Sequence, residues 1–202
     1  MASRSSTMPR RIPQQQRGQR RVAGLLRAAA SVIAQAGYER ATMCEIAVRA
    51  RASIGSLYQF FPNKESVAEA LRARYGKELD KLFRELALEA KVLTAKQLVC
   101  RLIDSHIQLA ERHPAFLALL DAPPTAHTSQ RREVMRDRIA QVLLARDPGI
   151  SGTKAARAGA VVQQILRGLL ILYARSPAHE KDAVIEEFKS VLIGYLAAKP
   201  KW

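Results

Sequence analysis

The sequence predicts an all-α protein of about nine helices, with a three-helix N-terminal unit, a long fourth helix and a C-terminal helical bundle. Aromatic residues make up only 5% of the chain whereas apolar residues make up 48%, so the core must be mainly aliphatic. Leucine and alanine, which supply much of that core, favour helices. Apolar residues also recur at helical spacing along most of the chain, and no segment alternates as a strand does.

The first segment differs in composition from the rest. Residues 1–20 carry arginine, glutamine, proline and serine without apolar periodicity, which predicts a flexible basic arm. From Arg21 onward, apolar residues recur every three or four positions, and Gly37 supplies a stop signal. We therefore expect helix 1 to span residues 21–36.

Polar residues mark the starts of the next three helices. Thr42 and Glu45 have the spacing of a capping box, which predicts helix 2. Ser53 is placed to cap helix 3, and Asn63 to cap a long helix 4 over about residues 64–90. Helices 2 and 3 are short and are joined by a tight turn, which is typical of a helix-turn-helix.

The remainder of the chain reads as further helices separated by short loops. The expected elements are helix 5 from Thr94 to His113, a short segment at 114–120, helix 7 at about 129–146, helix 8 from Thr153 to Arg175 and helix 9 from Ser176–Pro177 to Ala197.

The charge of the chain is strongly positive and uneven. The formal net charge is +15, and residues 1–63 hold ten arginines against only Glu39 and Glu45. A basic excess of this kind is typical of proteins that bind polyanions, although it can also serve solubility alone.

Several other classes of protein are disfavoured. Cys44 and Cys100 are too few for a disulfide framework or a zinc site, and no two of the four histidines lie four residues apart on a helix. There is no glycine-rich phosphate loop, no membrane-length apolar run and no secretory signal. We expect a cytoplasmic protein that is not an enzyme, with no catalytic residues, no cofactor, no metal and no membrane partner.

Helix 3 has the chemistry of a helix that enters a DNA groove. Gly55 and Ser56 are small enough for a close approach, Gln59 can hydrogen-bond base edges, and Ile54 can meet a thymine methyl group. Lys64 stands at a helix start, where its charge and the exposed amides favour phosphate. The alternative is an ordinary three-helix unit whose polar residues face water.

The segment "GYERATMCEIAVRARASIGSLYQFFPNKESV" resembles the N-terminal domain of the TetR family of bacterial repressors. The matching pattern is a Gly-aromatic step, a Thr-capped helix, a turn, and then S-x-G-x-L-Y-x-x-F-x-x-K-E. The resemblance implies phosphate contacts from Thr42, Tyr58 and Lys64, and base contacts from Met43, Ile54, Ser56 and Gln59. To these we add Ser53, Arg20, Arg21 and Arg51 for phosphates and Gly55 for the bases.

Two departures from the family pattern stand out. Phe60 replaces the histidine or tyrosine that is common there, and Arg51 stands in the turn where the family usually has glycine. Such a turn needs a positive φ, which costs a non-glycine residue about 1 kcal/mol. We expect Arg51 to tolerate this because it adds a phosphate contact. The basic arm either follows a minor groove, collects phosphates or is a solvated tail.

The resemblance also implies a dimer through the last two helices and an effector pocket in helices 5–7. The expected interface residues are Val161, Ile165, Gly168, Leu172, Val184, Phe188, Val191 and Tyr195, which otherwise form an internal bundle face. The expected pocket residues are Ile103, His106, Ile107, Phe116, Leu120, Gln141, Gln164 and Tyr173. An aliphatic pocket would suit a lipophilic molecule.

The domains expected from the sequence are therefore the arm (1–20), a helix-turn-helix domain (21–66), and an effector-binding and dimerisation domain (67–202). The predicted function is a ligand-responsive transcriptional regulator, most simply a repressor, that binds a palindromic operator in double-stranded DNA as a homodimer. The alternatives are an architectural, ligand-independent DNA-binding protein or a helical small-molecule binding protein.

Overall fold

The computed structural model describes residues 14–125 and 127–198, and every regular element within them is helical. The all-α prediction is thus confirmed. The helices are α1 (Gln14–Ala36), α2 (Met43–Arg49), α3 (Ile54–Phe60), α4 (Lys64–Glu89), α5 (Ala95–Arg112), α6 (Pro114–Ala118), α7 (Thr128–Arg146), α8 (Gly152–Arg175) and α9 (Lys181–Ala197), with a 3-10 turn at Ala178–Glu180 before α9.

Helix α1 begins earlier than expected. Its first residue is Gln14, so residues 14–20, which were expected to belong to the flexible arm, form the first two turns of the helix. The glutamines and arginines of this segment are good helix formers, and the apolar pattern that would have revealed the helix starts only at Val22. Residues 1–13 of the expected arm lie outside the described residues.

Side-chain caps set most of the helix starts, as the sequence predicted. Thr42 and Glu45 form the capping box of α2, and Ser53, Asn63 and Thr94 each accept the backbone N–H three residues later.

Two expected starts in the C-terminal part were wrong. Ser151 rather than Thr153 caps α8, so that helix begins at Gly152. Ser176 donates its hydroxyl to the Leu172 carbonyl instead of capping a helix, and a 3-10 turn precedes α9.

Two hydrophobic cores hold the helices together. We call the first unit the head: α1, α2, α3 and the first three turns of α4 pack around Leu25, Ile33, Ile46 and Leu57. The second half of α4 packs with α5, α7, α8 and α9 in the bundle, where Phe83 is one of the largest fully buried side chains.

Helix α4 therefore belongs to both units. Its residues from Val67 to Tyr75 lie in the core of the head, and those from Leu79 onward lie in the core of the bundle. Helix α6 adds a second connection, because its Ala115 and the following Leu119 are buried in the core of the head. The expected boundary after residue 66 thus precedes a stretch of α4 that still packs on the head.

Helices α7 and α8 form an antiparallel hairpin with a close backbone approach at Gly159. A Cβ atom on this residue would lie 2.7 Å from the Arg136 carbonyl oxygen and 3.2 Å from the Ala140 nitrogen. Only glycine allows this spacing. Helix α8 is also the one helix of the described residues that is long and apolar enough to span a membrane, yet residues such as Val162, Leu166 and Leu169 are buried in the bundle core.

Candidate nucleic-acid interface and ligand cavity

Helix α3 presents an exposed face on the surface of the head. Leu57 is fully buried and anchors the helix, while Ile54 and Tyr58 are 40% and 49% exposed and Gly55 and Gln59 are also exposed. The Tyr58 hydroxyl has no hydrogen-bond partner among the described residues. This face combines an aliphatic group, an open backbone position and polar groups, which is the set of functions needed to read base edges in a major groove.

The turn between α2 and α3 has the backbone that the sequence predicted. Arg51 has a φ of 50°, the positive value expected for a position where glycine is usual. Its N–H donates to the Val48 carbonyl at 3.0 Å, and the next N–H, of Ala52, donates to the Ala47 carbonyl at 2.9 Å. The Arg51 side chain is exposed on the head. Its role toward phosphate stays a prediction.

One of the expected base contacts lies elsewhere. Met43 is 9% exposed and packs in the core of the head, so it does not present a surface to bases. The first residue of a short amphipathic helix can point either way, and here the apolar side chain is buried.

Ser56 is half-buried, and its hydroxyl accepts a long hydrogen bond of 3.5 Å from the Arg21 guanidinium. Two residues expected to contact different parts of DNA thus contact each other. Arg20, in contrast, is exposed on α1.

The residues expected to hold phosphates at helix starts already have intramolecular partners. Thr42 donates its hydroxyl to Glu45 and accepts the Glu45 N–H. Ser53 accepts the Ser56 N–H at 3.2 Å and retains its own O–H as a donor. The pKa of Glu45 is lowered, because the Thr42 hydroxyl and N–H donate to its carboxylate.

Lys64 is half-buried and joins α4 to the turn that follows α1. Its ammonium donates to the carbonyls of Tyr38 and Glu39 at 2.9 and 2.8 Å and lies 4.5 Å from the centre of the Tyr38 ring. An ammonium has three donors, so one N–H is left for a phosphate at most. The main role of Lys64 in the structure is to join α4 to the rest of the head. The sequence analysis expected a phosphate ligand and did not predict these intramolecular contacts.

A cavity of about 830 Å³ lies between α4, α7 and α8, beneath α6 and the loop that follows it. Its volume falls within the range of about 300–1,000 Å³ that is usual for small-molecule sites. Four of the residues expected in the effector pocket line this cavity: His106, Phe116, Leu120 and Gln164.

The other four expected pocket residues do not line this cavity. Ile103 and Ile107 lie in the bundle core. Gln141 is exposed and accepts a hydrogen bond from Arg138. Tyr173 is buried and donates its hydroxyl to Glu111 at 3.0 Å. Apolar periodicity identifies buried positions but does not separate those that line a void from those that fill the core.

His106 is a buried polar side chain at the inner end of the cavity. It is 3% exposed, packs edge-on against the Phe83 ring, and its Nδ1 lies 2.7 Å from the Leu102 carbonyl oxygen. Burial lowers the pKa of His106 from 6.5 to about 4, since the charged ring would lose its hydration. His106 is thus neutral at pH 7, with Nδ1–H as donor and Nε2 without a partner among the described residues.

The outer wall of the cavity is fastened to α4 by residues that the sequence analysis missed. The Arg72 guanidinium donates to the carbonyls of Leu119, Ala122 and Pro123 at 3.2–3.3 Å. Burial lowers the pKa of Arg72, which has no carboxylate partner within the described part of the chain.

Glu69, one turn earlier on α4, pairs with Arg131 of α7 and accepts the Thr125 hydroxyl at 2.7 Å. The only sequence signal for this wall was the mixture of cations with apolar residues along one face of α7, at Arg131, Met135 and Arg138.

Helices α8 and α9 carry an exposed apolar surface. Val161, Leu172 and Val191 are 37%, 47% and 54% exposed. The other five residues expected at the interface are half-buried, and Gly168 faces the Phe188 ring within the same chain. Part of this surface is therefore an internal contact between α8 and α9, and part is open.

No group of three potential metal ligands occurs among residues 14–125 and 127–198.

Two family models match the chain, one over each unit. The model of bacterial regulatory proteins of the tetR family matches residues 25–71. The model of the tetracyclin repressor-like C-terminal domain matches residues 94–196, which is just over half of the chain. A search of curated proteins found no match.

Solved structures show the same fold over nearly the whole chain. A TetR-family regulator from Streptomyces coelicolor is 21% identical with a TM-score of 0.68, covering 91% of this chain and 99% of its own. One from Pectobacterium atrosepticum is 16% identical with a TM-score of 0.67, covering 92% and 96%. FadR from Bacillus subtilis, in complex with stearoyl-CoA, is 17% identical with a TM-score of 0.58, covering 85% and 97%. The chain therefore belongs to the TetR family, and it is a DNA-binding transcriptional regulator.

Proposed function

We propose that this protein is a cytoplasmic repressor that binds a palindromic operator as a homodimer and responds to a small molecule in the cavity. The observation that carries the proposal is the position of the cavity against α4, the same helix whose first turns lie in the core of the head. A ligand and a DNA site thus share one rigid element.

The reading contacts come from the exposed residues of α3. Gln59 pairs with a base edge, Ile54 meets a thymine methyl group, and Gly55 lets the helix backbone approach the groove. Phosphates on either side are held by Tyr58, by the Ser53 hydroxyl and by the exposed cations Arg20 and Arg51. Met43 has no part in this list because it is buried.

Dimerisation follows from the small footprint of one helix-turn-helix. Proteins of this kind reach useful specificity by binding two half-sites that mirror their two-fold symmetry. The exposed Val161, Leu172 and Val191 supply an apolar surface for a second copy. The half-buried neighbours on α9 support that surface from within the chain.

The response to a ligand depends on the contacts between α4 and the wall of the cavity. Glu69 and Arg72 join α4 to α7 and to the carbonyls that follow α6. A molecule that occupies the cavity changes the relative stability of arrangements of this wall, and with it the spacing of the two heads. That a similar regulator was solved with stearoyl-CoA supports a small-molecule effector. Repression needs only that the bound dimer occlude a promoter.

The proposal is tested by fluorescence anisotropy with DNA from upstream of the protein's own gene and with random DNA of equal length. We expect a large preference for the upstream DNA, because specific complexes are typically about 10³-fold or more tighter than non-specific ones. A ratio near one would favour an architectural DNA-binding protein instead.

A matched pair of variants tests whether the exposed face of α3 contacts the bases. Gln59→Ala should cost about 1–3 kcal/mol of operator binding and leave random DNA unchanged. Gln108→Ala, which alters an exposed glutamine of α5 in the bundle, is the control and should leave both affinities unchanged. Equal losses on both DNAs for Gln59→Ala would contradict a base contact.

A further inference from the structure

The cavity has an excess of positive charge along its wall. Six basic side chains line it, Arg72, Lys77, Arg131, Arg132, Arg138 and Arg167, against three carboxylates. All three carboxylates are already paired: Glu69 with Arg131, Asp80 with Arg138, and Asp121 with Arg175 outside the cavity. Arg72, Lys77, Arg132 and Arg167 have no carboxylate partner within the described part of the chain.

Two of these cations, Arg132 and Arg167, lie on neighbouring turns of the α7–α8 hairpin and both line the cavity. The Gln163 side chain donates to the Arg132 carbonyl at 2.8 Å, which places these residues side by side. Because the two helices run antiparallel, Arg167, one turn beyond Gln163, lies level with the start of α7. Neither Arg132 nor Arg167 has an ion-pair partner among the described residues.

The start of α7 adds to the positive potential at this position. Thr128 and Gln130 line the cavity, the first turn of α7 has no acidic residue, and no side chain caps the helix. The Thr128 N–H donates to the Thr125 carbonyl at 2.9 Å, but the helix dipole still favours an anion at a helix N-terminus. The N-terminus of α7 and the two arginines thus all favour a negatively charged group.

The buried part of the cavity lining is apolar. Leu79, Phe83, Leu166 and Leu170 are all buried and line it. His106 also lines this part of the cavity and is only 3% exposed. Its pKa of about 4 keeps it neutral at pH 7. Its unpartnered Nε2 can accept a hydrogen bond but offers no charge. The cavity is therefore cationic at the rim and hydrophobic at depth.

We propose that the effector is an amphipathic anion, with an apolar body against Phe83 and a carboxylate or phosphate held by Arg132 and Arg167. This rests on the proposed function, in which the cavity binds the effector, and it narrows the lipophilic molecule expected from the sequence. A neutral lipid would leave these arginines without a counter-charge. A small inorganic anion would leave most of the cavity unfilled.

Probes of equal chain length separate charge from hydrophobicity. Isothermal titration calorimetry of the purified full-length protein would use dodecanoate, dodecyl phosphate, dodecanol, dodecylamine and acetate, with the probes below their micelle concentrations. We expect at least one of the two long-chain anions to bind about tenfold or more tighter than dodecanol, with dodecylamine weaker still and acetate weakest. The better of the two anions identifies the head group. If dodecanol or dodecylamine binds as tightly as both anions, or if neither anion binds, the inference is wrong.

Arginine variants then test the site itself. Arg132→Gln and Arg167→Gln should each weaken binding of the anion about tenfold and leave dodecanol unchanged. Arg136→Gln removes a cation one turn further along α7 that does not line the cavity, and it should change neither. Equal losses for Arg136→Gln and Arg132→Gln would show a general charge effect and overturn the assignment. Circular dichroism confirms that each variant is folded.

Failure of this inference can be told apart from failure of the proposed function. Release of the operator by a neutral or cationic compound, with no binding of the anions, would overturn the amphipathic anion and leave the ligand-responsive repressor standing. Tight binding of the anions without a preference for any operator DNA would overturn the repressor and leave the amphipathic anion standing.

Discussion

The buried neutral His106 makes a quantitative prediction about stability and pH. Its pKa is about 4 in the folded protein against 6.5 for an unperturbed histidine. At about 1.36 kcal/mol per pKa unit, this difference corresponds to about 3 kcal/mol. That is a large share of the ~5–15 kcal/mol by which domains are usually stable.

The sign follows from which state binds the proton first. As the pH falls below 6.5, the unfolded chain protonates this histidine while the folded chain does not, so the unfolded state gains stability. The contribution is fully present above pH 6.5, is lost as the pH falls toward 4, and changes no further below that. We expect the free energy of unfolding to fall through this window.

His106→Met isolates the contribution because methionine fills a similar apolar space and does not titrate. Urea unfolding, followed by circular dichroism at one fixed protein concentration, would give the free energy of unfolding at several pH values. The free energy of unfolding of wild type minus that of His106→Met should fall by about 3 kcal/mol from pH 6.5 to pH 4. Other titrating groups cancel in that difference.

His179→Met serves as the control, because it removes an exposed histidine of the same chain. It replaces a histidine by methionine without removing a buried ring, so it shows what the substitution itself does to the urea profile. Parallel profiles of wild type and His106→Met would refute the reasoning, since they would mean that the folded protein accepts a proton at His106 as easily as the unfolded chain.

Three further predictions concern backbone geometry and assembly. Gly159→Ala should destabilise the protein by about 1–3 kcal/mol because its Cβ would overlap the α7 backbone, whereas Gly76→Ala, with open space around it, should stabilise it by up to about 1 kcal/mol in the same urea assay. Arg51→Gly should raise the free energy of unfolding by about 1 kcal/mol, because glycine adopts the positive φ without strain. The same variant should weaken operator binding and lower the slope of log affinity against log salt concentration by about one. An unchanged slope would exclude the phosphate contact. Leu172→Glu should convert the proposed dimer to a monomer in sedimentation velocity, and a persistent dimer would place the interface elsewhere.

Local signals carried most of the prediction of the head. The caps at Thr42, Ser53 and Asn63 depend on residues only three positions apart, so they can be read from the sequence. The positive φ of Arg51 is likewise a property of a short turn. The orientation of Met43 and the partners of Lys64 depend on how α1 packs against α2 and α4, and the sequence pattern does not contain that information.

The cavity shows the same limit more strongly. Its apolar lining could be guessed in part, because His106 and Phe116 lie on helices expected to face inward. Its charged wall could not, because Arg132 and Arg167 look like ordinary surface cations until α7 and α8 are brought side by side. Neither has an ion-pair partner among residues 14–125 and 127–198, which is a property of the folded arrangement.

The contacts of α4 explain how occupancy of such a cavity can reach the head without a flexible joint. Lys64 joins the first turn of α4 to the carbonyls of Tyr38 and Glu39, while Arg72, two turns later, holds the carbonyls that follow α6. Helix α6 is itself packed on the core of the head. The same short segment of α4 is therefore fastened to the DNA-binding unit on one side and to the cavity wall on the other. Because packed interfaces shift between discrete arrangements rather than deform gradually, a ligand that favours one arrangement of the wall also favours one position of the head.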